Sequence, residues 1–97
     1  MENKFLQDIK REILNSLGTE KIKIILFGSR ARGDHAAASD VDIGFIPQGE
    51  INYKKIILLK EKFENMNIPY KIELVDLSRV SDAFFVEAMR GAVIWKG

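Results

Sequence analysis

The stretch from Lys21 to Phe27 constrains the fold of this chain more than any other. Ile22, Ile24, Ile25 and Leu26 make it apolar and β-branched, and it ends at Gly28. A short apolar run of this kind reads as a buried strand, and a buried strand must be covered by other elements. The flanking patterns supply them. From Phe5 to Leu17, apolar residues at Phe5, Leu6, Ile9, Ile13, Leu14 and Leu17 fall at helical spacing, with Gly18 as the stop. Ser29 to Ser39 is rich in Gly, Ala, Asp and Ser and reads as a short helical turn followed by a loop.

Val41 to Ile46 predicts a second strand. It carries Val41, Ile43 and Phe45 on one face and Asp40, Asp42 and Gly44 on the other, and Pro47-Gln48-Gly49 closes it. Ile51 to Met66 predicts a helix whose stripe Ile56, Leu59, Phe63 faces the core. Asn65 to Pro69 breaks that helix, and Tyr70 to Leu77 predicts a third strand, Ile72 and Leu74 inward, Lys71 and Glu73 outward. A last helix is expected from Ser81, its N-cap, to Arg90; Gly91 ends it, and Ala92 to Trp95 adds a short extended edge. The expected fold is α/β: residues 1–97 as one domain, a small mixed sheet with helices packed on one face.

Composition narrows the chemistry. Lys+Arg 15 against Asp+Glu 14 leaves no global field to draw in nucleic acid or an anionic membrane, so any polyanion must be held by a local site. The absence of cysteine excludes disulfides and thiolate metal sites. The apolar runs are far too short to span a bilayer, and the first residues lack a signal-peptide core, so a soluble cytoplasmic protein is the expectation.

Polar residues out of keeping with this framework converge on one edge of the expected sheet. Gly28-Ser29 follows the first strand, and Arg30-Ala31-Arg32-Gly33 comes next. Glycine admits a ligand close to the backbone. A serine at the start of a short helix offers its hydroxyl beside backbone N–H groups, which suits phosphate. Arg32 could add charge-assisted bonds, whereas Arg30 is expected in solvent. The lysine and spacing of a P-loop are missing. In Asp40-Val41-Asp42, positions two apart share a strand face, and a cation between two such carboxylates relieves their repulsion. Magnesium or manganese fits such oxygen ligands, although a solvated strand edge is an alternative reading. Glu73 joins the aspartates if its strand neighbours theirs in register; otherwise it forms a surface ion pair with Lys71. Asp76 is expected to cap a turn at the strand end. His35, Trp95 and the apolar residues Phe84, Phe85, Val86 and Met89 read as exposure in a loop, packing, and mostly core, in that order.

Gly28-Ser29, then Asp40-Val41-Asp42, then a later strand carboxylate, resembles the nucleotidyltransferase superfamily that includes DNA polymerase β, and in particular its minimal single-domain bacterial and archaeal members. The likeness covers nearly the whole chain through its leading helix, FGSRARG, SDVDIGF and YKIELVDLS. The resemblance implies that Gly28, Ser29 and Arg32 contact the phosphates of ATP. It implies that Asp40, Asp42 and Glu73 form the catalytic metal-binding set for Mg2+ or Mn2+. It implies transfer of AMP to an acceptor hydroxyl, with a tyrosine of a HEPN-type (higher eukaryote and prokaryote nucleotide-binding) helical toxin as the expected acceptor and the chain as its antitoxin. No nucleic-acid template and no membrane are expected, and homo-oligomerisation stays open. One position departs from the pattern: the third carboxylate is usually aspartate, and Glu73 reaches further by about 1.5 Å, one carbon–carbon bond. A weakly active antitoxin that acts by binding is the alternative.

Overall fold

The computed structural model describes residues 4–33 and 40–97. The elements run α1 (Lys4–Leu17), β1 (Ile22–Phe27), α2 (Ser29–Arg32), β2 (Val41–Pro47), α3 (Tyr53–Asn65), β3 (Ile72–Asp76), α4 (Asp82–Met89) and β4 (Val93–Lys96). The expected elements are all present, each within a few residues of its predicted ends. Side-chain caps fix two helix starts: Asn52 accepts from the Lys54 N–H at 3.1 Å, and Ser81 accepts from the Phe84 N–H at 3.1 Å. His35 and the rest of the predicted loop up to Ser39 lie outside the described residues.

The four strands form one mixed sheet in the order β3-β2-β1-β4. β1 is antiparallel to β2 and to β4, while β2 and β3 are parallel, joined through α3. The parallel pair needs a crossover, and α3 supplies it.

One face carries the larger core. There α1 contributes Leu6, Ile9, Ile13 and Leu17, and α3 contributes Ile56, Leu59 and Phe63. They pack over Ile22, Ile24, Leu26, Val41, Ile43, Phe45 and Leu74, with Trp95 also buried. The expectation of helices on one face holds for α1 and α3 and fails for α4. Ile25 and Phe27 project from the opposite face of β1 and pack with Leu77, Ala88 and the partly buried Phe85 and Met89. The cause is the run in β1, apolar at both parities, which leaves aliphatic surface on each face to be covered. Gly44 makes room on this second face, since a Cβ there would collide with the Leu77 side chain. Helix α4 is only half absorbed: Phe84 and Val86 are exposed, not core. This apolar layer reaches Phe27, and the polar residues begin beside it at Asp42.

Candidate active site at the open end of the sheet

The register sets Phe27 opposite Asp42, and Asp42 opposite Glu73, so one row crosses the ends of three strands. Residues opposed in neighbouring strands project to the same face. The condition on which Glu73 could join the aspartates is therefore met by the pairing of β2 with β3. Asp40 stands just before β2, exposed, and its charge still reaches Asp42. Asp42 is half-buried, and its carboxyl is held above the ordinary aspartate value of 3.8, first by desolvation and then by the charges of Asp40 and Glu73.

Glu73 has a second partner. Lys71, its neighbour on the same strand face, places Nζ 2.9 Å from the Glu73 carboxylate. The Lys71 ammonium is held above its ordinary value by that hydrogen bond, then by the charges of Glu73 and Asp40. The surface ion pair and the shared carboxylate face are thus both present. Asp76 takes the turn role: its Oδ1 accepts from the Ser78 N–H at 2.9 Å and the Ser78 hydroxyl at 2.6 Å, and Arg79 pairs with it at 3.3 Å.

The Gly28-Ser29 turn abuts this row. Gly28 has φ +76°, and a Cβ built on it would lie 2.5 Å from Asp42 Oδ2. Two independent reasons thus require glycine: a backbone conformation that L side chains rarely adopt, and the carboxylate that occupies the space. Ser29 opens α2 half-buried, and Gly33, at φ +79°, closes it by giving its N–H to the Ser29 carbonyl. Arg32 is exposed and lines a hollow of about 130 Å³ with Phe27, Gly28, Phe84, Glu87 and Ala88. Arg30 corrects the expectation of a solvated side chain. It is 6% exposed, with its guanidinium carbon 4.0 Å from the centre of the Tyr70 ring. The Lys71–Glu73 pair follows from alternation along one strand, whereas the stack is not legible in residue spacing, because it depends on how the start of β3 lies against the turn after β1.

The donor set fits a hard divalent cation. A half-buried carboxylate, made costly by two more carboxylates, gains from a positive charge between them. Among the described residues no group of three such ligands is already gathered into a metal cage. Magnesium does not need one, since it commonly binds through one or two carboxylates together with substrate phosphates and water.

Comparison with known proteins places the chain in a family and a fold. A family model described as "Polymerase beta, Nucleotidyltransferase" matches residues 8–96. A Haemophilus influenzae protein named "Probable protein adenylyltransferase MntA" is 31% identical over 58 residues, 60% of this chain and 51% of that protein. The match thus spans about half the length of that relative. A chain in a crystal structure of a toxin-antitoxin with AMP-PNP superposes with TM-score 0.68 at 23% identity, over 91% of this chain and 73% of that one. A chain in a structure of tri-AMPylated Shewanella oneidensis HEPN toxin with MNT antitoxin gives 0.63 at 21% identity, over 94% and 71%. At those identities the two structural likenesses concern the fold.

Proposed function

The chain belongs to the polymerase beta nucleotidyltransferase family, and from that premise we propose that it transfers AMP from ATP to an acceptor hydroxyl in a metal-dependent reaction. The observation that carries this reading is the row of Asp42 and Glu73 with Asp40 beside it, packed against a glycine that only a Cβ-free turn can supply. When bound, Mg2+ or Mn2+ would stabilise the attacking and leaving oxygens of an in-line displacement at the α-phosphorus. Asp40 and Asp42 are assigned to holding it. Glu73 is assigned to positioning the catalytic ion as its third carboxylate and to accepting the proton of the acceptor hydroxyl, which requires release from Lys71. Ser29, the adjacent backbone and Arg32 are assigned to the β- and γ-phosphates, which leave as pyrophosphate.

The acceptor we infer is a tyrosine of a HEPN-type toxin, with this chain as the antitoxin. A relative named as an adenylyltransferase and a fold shared with chains in toxin–antitoxin structures support it. A cytoplasmic site of action belongs to the same reading, and no described helix is long and apolar enough to cross a membrane.

The Lys71–Glu73 ion pair favours a second reading, in which the third carboxylate is already neutralised and the protein silences its partner by binding alone. Incubation with labelled ATP, Mg2+ and the HEPN-type partner separates the two. Transfer is expected to label the partner, and Asp40→Ala plus Asp42→Ala should abolish the label. Label that persists in the double variant would sink the metal-carboxylate assignment. Neutralisation of the partner with no label in either protein would favour the binding-only antitoxin.

A further inference from the structure

We propose that Arg30 is a positioning residue: stacked on Tyr70, it locks the Gly28-Ser29 turn to the strand that carries Glu73. Its significance for nucleotide binding rests on the function proposed above, whereas the mechanical coupling does not. Helix α2 has only four residues and lies between Gly28 and Gly33, both at positive φ. A single helical turn is not held by its own hydrogen bonds, and a glycine at each end offers a pivot on either side. The turn that would hold phosphate must therefore be fixed from outside.

Arg30 is the α2 side chain buried deeply enough to do this. It is also the buried charged residue among the described residues, 6% exposed. A guanidinium withdrawn from water needs compensation, and the face of an aromatic ring supplies part of it. The Tyr70 ring is itself braced, with the Phe5 ring of α1 meeting it at 88° and 5.7 Å between centres. Tyr70 leads directly into Lys71, whose carbonyl accepts the Val41 N–H at 2.8 Å where β2 and β3 begin to pair. Three residues beyond Tyr70 lies Glu73, opposite Asp42. One stack therefore joins the candidate phosphate turn to the strand of the third carboxylate. Lysine would keep the charge and lose the planar face that makes the contact.

Hydrogen exchange on the full chain tests the coupling, using Tyr70→Phe, Tyr70→Leu and Arg30→Lys. Tyr70→Phe keeps the ring and should match the wild type. In Tyr70→Leu and Arg30→Lys, exchange of the Arg32 and Gly33 amides, bonded to the Gly28 and Ser29 carbonyls, should rise roughly tenfold, the scale of losing a desolvated cation–π contact, while β1 and β2 stay protected. Affinity for a non-hydrolysable ATP analogue with Mg2+ should fall in the same two variants and return in Tyr70→Phe. Unchanged exchange at Arg32 and Gly33 in both variants would overturn the proposal, and so would equal loss of protection across the whole sheet. Arg30→Lys leaves Tyr70 in place, so a folding defect of Tyr70→Leu cannot hide the answer. Failure of the wild type to bind the analogue would count against the transferase reading, while the exchange data judge the stack independently.

Discussion

The two ends of the β1–β2 ribbon treat a carboxylate in opposite ways. Beside the start of β1, Glu20 accepts the Asn52 N–H at 2.7 Å and pairs with Lys55 at 3.2 Å, which ties the first strand to the start of α3. Those bonds hold its carboxyl below the ordinary 4.5, the Asn52 bond contributing most. At the other end, Asp42 stands between the Gly28 turn and the strand of Glu73, and it is held above its ordinary value first by desolvation and then by the charges of Asp40 and Glu73. The first arrangement is complete without a ligand. A cation would relieve the second, and on the function proposed above this is the metal-binding end.

The sharpest way to break that contrast is Asp42→Asn. On the proposed function it should lower nucleotide transfer by about 10³-fold, some 4 kcal/mol of barrier, measured with labelled ATP and saturating Mg2+. Activity near that of the wild type would remove Asp42 from the metal set. Gly28→Ala comes next. A non-glycine residue at φ +76°, with its Cβ against Asp42 Oδ2, should cost about 1–3 kcal/mol in urea unfolding. A neutral result would mean that the turn is not held as described.

A pH series compares the ends directly. Glu20 has a lowered folded pKa, so its contribution to stability is present above 4.5 and is lost as the pH falls through the folded value. Thermal melts of Glu20→Gln should therefore lie below the wild type at neutral pH and converge with it in acid. Asp42 has the opposite sign. Its neutral form suits the fold, so its contribution is full below 3.8 and is lost as the pH rises through the raised folded value. Without metal, Asp42→Asn should melt above the wild type at neutral pH by about 2–4 °C, the shift that a fraction of a kcal/mol gives in a small domain. Mg2+ should raise the melting temperature of the wild type and not of the variant. Coincident pH profiles for the two substitutions would erase the distinction. The smallest effect is expected from Lys71→Met: an exposed ion pair of this kind contributes about 0–1 kcal/mol. Its removal should leave the melting temperature almost unchanged and tighten Mn2+ binding by freeing Glu73, which a calorimetric titration would detect.

Much of this was legible along the chain. Helical spacing placed α1 and α3, Ser81 announced the start of α4, and alternation put Lys71 and Glu73 on one face of their strand. Asp76 reads as a turn residue because it falls at a strand end, and it bonds Ser78 there. What misled was local burial. Phe84 and Val86 look like core in an apolar helix, yet α4 presents only Phe85, Ala88 and Met89 to the sheet. Arg30 looks like surface in a charged segment, yet it is stacked on a ring forty residues further along the chain.

The sequence by itself determined the elements, the glycine at the turn and the face of each strand that carries carboxylates, because these follow from backbone periodicity and from the absence of a side chain. Tertiary structure decided that β3 lies parallel to β2 with Glu73 beside Asp42, and that Arg30 meets Tyr70. Strand neighbours and through-space contacts arise from packing between segments far apart in the chain, and no local pattern encodes which of them will touch.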